Sequence, residues 1–304
     1  MTITIIGIGA MGCLFGAYLS QVATITLLGH WPEQVAALHQ SGLRLLAADG
    51  QASHYWLNVV TAPDHAPPAD LVLVLVKSYQ TPQAAQLAAQ ALAPEGVAVT
   101  LQNGVGNLAQ VTAVLGPNRA TLGTTSQGAT LLQPGLVRHA GHGPTHLAQL
   151  AAAAVGQNLL LQKLTRLLLQ AGLETHLVED ANGLVWGKLA VNAAINPLAA
   201  LLNVPNGFLA TNPTARKFMF AAAREAAAVA QALGIRLPYP DAAQRALEVA
   251  QATAANYASM CQDLQHGRPT EIEAICGPIV HHGRQLGILT PVNHRLLTLI
   301  RHIQ

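Results

Sequence analysis

Three polar side chains, Lys188, Asn192 and Asn196, recur every four residues in an otherwise apolar segment. At this spacing they line one face of a helix over about 12 Å. All other residues between Leu189 and Ile195 are apolar, which predicts a helix that is buried except for this narrow polar ridge. Burial lowers the pKa of a lysine, and a cleft lined by one ammonium and two amides suits an anionic substrate with a carbonyl group. The alternative is a ridge that faces solvent.

Other polar residues that suit a substrate site follow this segment. Asn206 precedes a glycine, and an Asn-Gly pair most often marks a turn. Asn256 and Ser259 share one face of a helix that we predict over residues 241–260. These residues therefore extend the candidate site beyond the ridge.

Glu271 stands beside a helix-start signal. Thr270 and Glu273 have the spacing of a capping box, which assigns Glu273 a structural role at the start of a helix over residues 271–286. Glu271 at the first helical position interacts favourably with the helix dipole. The spacing leaves this structural role and a catalytic role open for Glu271.

A glycine-rich turn lies near the start of the sequence, between an apolar strand and a helix. It has the pattern G-x-G-x-x-G and consists of Gly7, Ile8, Gly9, Ala10, Met11 and Gly12. Glycines let the backbone approach a pyrophosphate, and the helix N-terminus offers N–H groups and a partial positive charge. In this context the motif predicts a bound nicotinamide dinucleotide rather than a turn without a ligand.

The end of the second predicted strand indicates which dinucleotide is bound. Enzymes that use NAD usually carry Asp or Glu there for the ribose 2′-hydroxyl. This chain has Gly29, His30 and Trp31 instead. A 2′-phosphate meets no carboxylate and can contact His30, so NADP is favoured, and Trp31 is expected only to pack.

Lys77 and Asn103 are further candidates for cofactor binding. They follow strands predicted at residues 71–76 and 97–101, and Asn103 lies in the segment L-Q-N-G-V-G. Ligands of doubly wound sheets bind outside the carboxyl ends of the strands. A solvated lysine and a turn asparagine are the alternatives.

Composition excludes several functional classes. Of the 304 residues 51% are hydrophobic and 10% charged, yet no apolar stretch approaches the roughly 20 residues of a membrane span. The 16 Lys and Arg against 14 Asp and Glu give a net charge of +2 without a basic stripe, so nucleic acid and membranes are not expected as partners. The first residues lack a signal-peptide pattern, and three scattered cysteines suit a cytoplasmic protein. The 13 histidines show no metal-ligand spacing, so we assign them to surfaces and loops and expect no metal.

The elements that must hold these residues are of two kinds. In the first half, strands at residues 2–6, 24–28, 71–76, 97–101 and 120–124 alternate with helices at residues 11–20, 32–40, 81–92 and 107–115. This alternation predicts an α/β Rossmann-type domain with a doubly wound parallel sheet. Residues 43–48 and 55–60, joined through Asp49 and Gly50, are predicted to form a hairpin.

After about residue 178 the strand signals end. Helices are predicted at residues 182–195, 213–233, 241–260, 271–286 and 291–303, separated by prolines that include Pro197. The chain exceeds the usual length of a single core. We therefore expect a Rossmann NADP-binding domain at residues 1–178 and an all-α substrate and catalytic domain at residues 179–304.

Taken in chain order, these motifs resemble the ketopantoate reductase family, the 2-dehydropantoate 2-reductases. The resemblance spans nearly the whole chain and rests on residues 7–12, 75–77, 101–106, 186–198, 205–207, 259–263 and 270–272. The most specific block is W-G-K-L-A-V-N at residues 186–192, which continues to I-N-P-L at residues 195–198.

The resemblance implies NADPH-dependent reduction of 2-dehydropantoate to pantoate, on the route to pantothenate and coenzyme A. It implies that Lys188 is the proton donor and that Glu271 contacts the cofactor or orients the lysine. The substrate-binding residues that it implies are Asn192, Asn196, Asn206, Asn256 and Ser259. The cofactor-binding residues that it implies are those of the glycine turn with Lys77, Asn103 and Ala129. The family commonly has an arginine where this chain has His30, a departure that bears on the preference for NADP.

Two rival functions stay open. One is an enzyme of similar shape that acts on another branched 2-keto acid or on a 3-hydroxy acid. The other is a non-catalytic NADP-sensing protein that lends the fold to a partner. The ridge of Lys188, Asn192 and Asn196 argues against a sensor, which has no need for a proton donor. The sequence allows a homo-oligomer without specifying one.

Overall fold

The structure is a computed structural model that describes residues 1–47, 49–150 and 154–304. The described chain divides into two compact units, Met1–Gln102 with Asn107–Ala181 and Asn103–Gly106 with Asn182–Gln304. The first contains strands and helices, whereas the described elements of the second are all helices. The predicted fold class, a Rossmann-type domain followed by a helical one, is confirmed.

The first unit contains twelve strands and five α-helices within its described residues. The strands are β1 (Thr2–Ile6), β2 (Thr24–Leu28), β3 (Leu43–Leu46), β4 (Ala52–Tyr55), β5 (Asn58–Val60), β6 (Ala69–Val74), β7 (Leu92–Thr100), β8 (Ala120–Thr125), β9 (Gly128–Gln133), β10 (Leu136–Gly141), β11 (Thr145–Ala148) and β12 (Thr175–Val178). The helices are α1 (Ala10–Leu19), α2 (Pro32–Ser41), α3 (Thr81–Ala91), α4 (Asn107–Leu115) and α5 (Val155–Gln170).

Eight strands form the main sheet in the order β12-β11-β8-β7-β6-β1-β2-β5. The six from β8 to β5 are parallel, but β11 pairs antiparallel with β8. Successive side chains of a strand point to opposite faces. Accordingly Ile5 packs in a core with α1 and α5, whereas its neighbour Ile6 packs in another with α3 and α4. Both faces are covered, as in a doubly wound sheet.

The predicted hairpin is correct in its turn but wrong in its second strand. Gly50 has φ +85°, and Gln51 donates its backbone N–H to Asp49, as a tight turn requires. However, β3 pairs with β4, and β5 instead pairs with β2 in the main sheet, where Val59 is buried. β3 also pairs with β10 in a second sheet of order β4-β3-β10-β9. Ala48, the predicted end of the first strand, lies outside the described residues.

The helices of the second unit pack around an alanine-rich core. They are α6 (Asn182–Leu202), α7 (Asn206–Thr211), α8 (Pro213–Ala232), α9 (Ala242–Ala252), α10 (Ser259–Gln265), α11 (Ile272–Leu286) and α12 (Pro291–Ile303). Ala193 of α6 and Ala222 and Ala226 of α8 are fully buried in this core. Small side chains of this kind let the two long helices approach closely. Pro197 does not end a helix as predicted, because α6 continues through it to Leu202.

The single helix predicted over residues 241–260 is wrong. α9 ends at Ala252, and a non-helical segment precedes α10. The reason lies in a distant part of the chain. The carbonyls of Ala254 and Asn256 accept hydrogen bonds from the backbone N–H groups of Gly207 and Asn206 at the start of α7. These bonds hold the segment out of helical geometry.

In the described part of the chain, α6 is also long and apolar enough to cross a membrane. Of its most apolar window, 72% is buried inside the protein. A core helix of a helical domain has this composition.

Candidate active site

Lys188 lies in the middle of α6 and is partly buried, between the buried residues Gly187 and Leu189. Burial lowers the pKa of its ammonium group to about 8, and the charge of Glu271 offsets part of this effect. A lysine with such a pKa is protonated at neutral pH but releases its proton more readily than an exposed lysine. The ammonium can therefore act as a general acid.

Asn192 and Asn196 continue the same face of α6 toward its C-terminus. Asn192 is partly buried and Asn196 is buried. An asparagine amide both donates and accepts hydrogen bonds. The helix thus carries one ammonium and two amides in a row, and none of the three is exposed.

Glu271 comes directly before α11 and is buried. Its carboxylate accepts a hydrogen bond from Asn103 Nδ2 at 3.2 Å. The segment that carries Asn103 is fixed nearby, because Val105 donates its backbone N–H to the carbonyl of Ala274. The negative charge of Glu271 therefore acts on Lys188. The same carboxylate contacts the amide of Asn103, which lies 168 residues away in sequence.

The predicted capping box is wrong. The carboxylate of Glu273 pairs with the guanidinium of Arg301, with Nη2 to Oε2 at 2.6 Å. The backbone N–H of Thr270, which a capping box would satisfy, donates to Gln304 Oε1. The start of α11 is thus held by Arg301 of α12 and by Gln304 rather than by a capping box. The side chain of Glu271 makes no capping hydrogen bond to the described residues of α11.

Asn206 begins α7 and is buried. Its Nδ2 donates to Thr253 Oγ1 at 2.9 Å, but its Oδ1 has no hydrogen-bond partner among the described residues. Buried polar atoms almost always have a partner, so a buried acceptor without one is a candidate ligand contact. Asn256 contacts Asn206 through its backbone carbonyl, and the side chains of Asn256 and Ser259 are exposed. The two are not on one helical face, because Asn256 precedes α10 and Ser259 begins it.

Of the three glycines in the turn of the first unit, only Gly9 leaves room for a side chain. A Cβ on Gly12 would lie 1.7 Å from the carbonyl oxygen of Gly7, and Gly7 itself has φ +115°. A Cβ on Gly9 would meet nothing within 4 Å. Gly9 is also the N-cap of α1, and no side chain caps this helix. The turn therefore fits a pyrophosphate, because it combines an open side at Gly9 with a helix N-terminus that no described side chain caps.

The other predicted cofactor residues lie in different elements of the described chain. His30 is exposed directly after β2 and Gly29. Lys77 is partly buried three residues after β6, which ends at Val74 rather than at residue 76. Ala129 lies in β9 and packs against the core of its unit.

Two features of the first unit escaped the sequence prediction. Gln102 joins two strand ends, because its Nε2 donates to the carbonyl of Val76 and to Thr81 Oγ1. The sequence signal that could have identified Gln102 is its position directly before Asn103. His139, assigned to a loop, is buried in β10 between Tyr18 and Gln127, to which its ring nitrogens bond.

Comparison with known proteins gives consistent matches over both units. The family described as "Ketopantoate reductase PanE/ApbA" matches residues 3–152, and its C-terminal counterpart matches residues 180–304. A 2-dehydropantoate 2-reductase of Halobacterium salinarum is 35% identical, over 100% of this chain and 99% of its own.

Solved structures of known proteins share this fold, and two of them illustrate the similarity to the chain. The PanE/ApbA family ketopantoate reductase of Ralstonia eutropha is 31% identical with a TM-score of 0.89, covering 100% of this chain and 98% of its own. A D-mandelate dehydrogenase in complex with NADH and anilino(oxo)acetate is 27% identical with a TM-score of 0.90, covering 99% and 98%.

Proposed function

The chain belongs to the ketopantoate reductase family, and we propose on this basis that it reduces 2-dehydropantoate to pantoate with NADPH. The step belongs to the biosynthesis of pantothenate and coenzyme A. The observation that carries the proposal is the partly buried Lys188, whose pKa lies near 8 beside Glu271, in a chain that matches such reductases over its full length.

When bound, NADPH would supply the hydride that reduces the carbonyl carbon C2 of the keto acid. The ammonium of Lys188 donates a hydrogen bond to the carbonyl oxygen and gives it a proton as the charge develops. The negative charge of Glu271 raises the pKa of Lys188. The lysine therefore keeps its proton until negative charge develops on the carbonyl oxygen. The substrate is held by the residues Asn192, Asn196, Asn206, Asn256 and Ser259.

The orphan acceptor of Asn206 suits this assignment. A substrate hydroxyl can donate to Oδ1, the atom that lacks a partner within the described chain. 2-Dehydropantoate carries such a hydroxyl in addition to its carboxylate and keto group. A substrate without the hydroxyl would leave this buried acceptor unsatisfied, which costs free energy.

NADPH is the cofactor that we propose, and the glycine turn, His30, Lys77 and Ala129 of the first unit would hold it, with Asn103 of the second unit as a further candidate. The turn fits the pyrophosphate through the open side of Gly9. No carboxylate follows β2 to repel a 2′-phosphate, and exposed His30 is free to approach one. His30 stands where the family commonly has an arginine, so we propose a weaker preference for NADPH over NADH than an arginine would give.

A second candidate function is the reduction of a different 2-keto acid. The fold is shared with a D-mandelate dehydrogenase at a TM-score of 0.90. We further propose that the protein acts in the cytoplasm on small molecules alone, without nucleic acid or membrane partners. Its net charge of +2 and its three buried free thiols support this setting.

Substitution of Lys188 by alanine tests the proposed mechanism. General acid catalysis contributes about 10²- to 10⁴-fold, so Lys188→Ala should lower kcat at least ~10²-fold while NADPH still binds. Lys217→Ala, on exposed α8 surface of the same unit, is the matched control and should keep normal turnover. Near-normal turnover of Lys188→Ala would remove the lysine from the mechanism. Tight NADPH binding by the unmodified protein without oxidation by any keto acid would identify a sensor instead.

A further inference from the structure

Gln34, on α2, is a polar residue in an apolar core. Its exposed fraction is 0%, and it is one of only two buried residues of α2 within the described chain. A buried amide costs free energy unless its donors and acceptor are satisfied. The partners of Gln34 therefore indicate why it is there.

The amide of Gln34 joins three separate segments of the first unit. Its Nε2 donates to the carbonyl oxygen of Ile8 at 3.0 Å and approaches Cys13 Sγ at 3.2 Å. Its Oε1 accepts the backbone N–H of Gly135, in the turn between β9 and β10, at 2.9 Å. This arrangement defines the orientation of the amide, because only nitrogen can donate to Ile8 and only oxygen can accept from Gly135.

The Ile8 carbonyl receives a second donor from Cys13. The thiol lies 3.4 Å from the Ile8 oxygen. Burial raises the pKa of this thiol to about 12, so that it keeps its proton and can donate. Two buried groups thus hold the Ile8 carbonyl on the inner side of the glycine turn.

Peptide geometry connects this carbonyl to the ligand side of the turn. The bond between Ile8 and Gly9 is a planar trans peptide, in which C=O and N–H point in opposite directions. With the Ile8 oxygen held inward, the N–H of Gly9 must point outward. The outer side of Gly9 is open, since a Cβ there would meet nothing within 4 Å.

We propose that Gln34 is a positioning residue for the dinucleotide, fixing the Ile8–Gly9 peptide so that the Gly9 N–H faces the pyrophosphate. The inference rests on the proposed function only in taking NADPH as the ligand of the turn. Without Gln34, the Ile8–Gly9 peptide can rotate, because glycine tolerates both orientations of the peptide plane. A rotated peptide presents its carbonyl oxygen to the phosphate, which repels it.

The decisive experiment compares Gln34→Met with Gln40→Met. Methionine has nearly the shape of glutamine without its hydrogen bonds, and Gln40 lies exposed on the same helix. Calorimetry measures the Kd of NADPH and of adenosine 2′-monophosphate, which has no pyrophosphate. For Gln34→Met we expect a rise in the Kd of NADPH of at least about tenfold, the loss of one charge-assisted hydrogen bond. The Kd of adenosine 2′-monophosphate, the KM of the keto acid and kcat at saturating NADPH should stay within about twofold.

Four results separate the inference from its alternatives. An unchanged Kd of NADPH in folded Gln34→Met overturns it, and so does equal weakening of both ligands, which indicates general loosening. If Gln34→Met does not fold, Cys13→Ala removes the other donor to Ile8 and should raise the Kd of NADPH about threefold, whereas no rise overturns the inference. If the unmodified protein binds no NADPH, the proposed function itself fails, independently of Gln34.

Discussion

The chemistry proposed for this protein depends on the environment of a single ammonium group. Lys188 lies on a helix face with two amides, and removal from water lowers its pKa to about 8. The negative charge of Glu271 opposes that shift. In the proposed mechanism the protonated lysine is the acid, so this pKa would set the upper limit of the pH range in which the enzyme works.

The pH dependence of kcat follows from this environment. Activity requires protonated Lys188, so kcat should be maximal below the lowered pKa and fall as pH rises through about 8. Glu271→Gln removes the charge that raises the lysine pKa, and the fall should begin at lower pH. A nearby opposite charge shifts a pKa by about one unit or more, so kcat at pH 8 should drop at least ~3-fold relative to its own low-pH plateau.

Glu273→Gln is the matched control for this prediction. Glu273 lies two residues away, but its carboxylate is paired with Arg301 at the surface. Its pH profile should coincide with that of the unmodified protein. If the Glu271→Gln profile also coincides, Glu271 does not act on the lysine that donates the proton.

The sequence predicted the site residues to different degrees. Lys188, Asn192 and Asn196 belong to one helix, so their spacing was enough to predict that they share a helix face. The pairing of Glu271 with Asn103 spans 168 residues, and no local pattern predicts it. Placement of Asn256 on a helix with Ser259 was wrong, because hydrogen bonds from α7 end α9 early.

At the scale of elements, the first turn of α1 is where we propose that the dinucleotide binds. Two of its glycines serve different purposes. Gly12 is needed for packing, since a Cβ there would lie 1.7 Å from the Gly7 oxygen, whereas Gly9 leaves an open side to the turn. The difference between them can be measured.

Gly12→Ala should therefore mainly lower the stability of the protein, whereas Gly9→Ala should mainly weaken the binding of NADPH. We expect Gly12→Ala to lose about 3 kcal/mol of unfolding free energy, an overpacking cost. Gly9→Ala should lose less than ~1 kcal/mol, because φ is −77° there and the space is open. Its added methyl group should nevertheless raise the Kd of NADPH at least ~10-fold. Urea denaturation measures the unfolding free energy, and calorimetry measures the Kd of NADPH. Equal stability of the two variants would refute the different roles that we assign to Gly12 and Gly9.

Element prediction succeeded where the hydrophobic period was decisive. β1, β2 and α4 begin and end at the predicted residues. It failed where distant partners decide the structure, as for β5, which leaves the hairpin to pair with β2. The same holds for Thr270, whose backbone N–H bonds Gln304 rather than Glu273. Short-range signals do not contain these partners.

For the molecule as a whole, the unusual composition follows from how its cores are packed. Only 10% of the residues are charged, and 51% are hydrophobic. The helical unit fills its core largely with alanines, and the sheet of the other unit buries side chains on both faces. Cores packed in this way need many small apolar residues.

The whole fold limits the function less than the site does. The same architecture occurs in a ketopantoate reductase and in a D-mandelate dehydrogenase, with similar TM-scores of 0.89 and 0.90. Substrate choice must therefore come from particular side chains. We propose that Asn206 is one of them, because its Oδ1, which has no hydrogen-bond partner among the described residues, can accept a bond from a substrate hydroxyl.

The most direct test of the central claim is the rate of NADPH oxidation with 2-dehydropantoate, compared with 2-ketoisovalerate, which lacks the hydroxymethyl group. A site built to bond a hydroxyl rejects the analogue without it strongly, so kcat/KM for 2-dehydropantoate should be at least ~10-fold higher. NADH in place of NADPH should support a slower reaction. Equal or faster oxidation with 2-ketoisovalerate, or no oxidation with either acid, would contradict the proposed function.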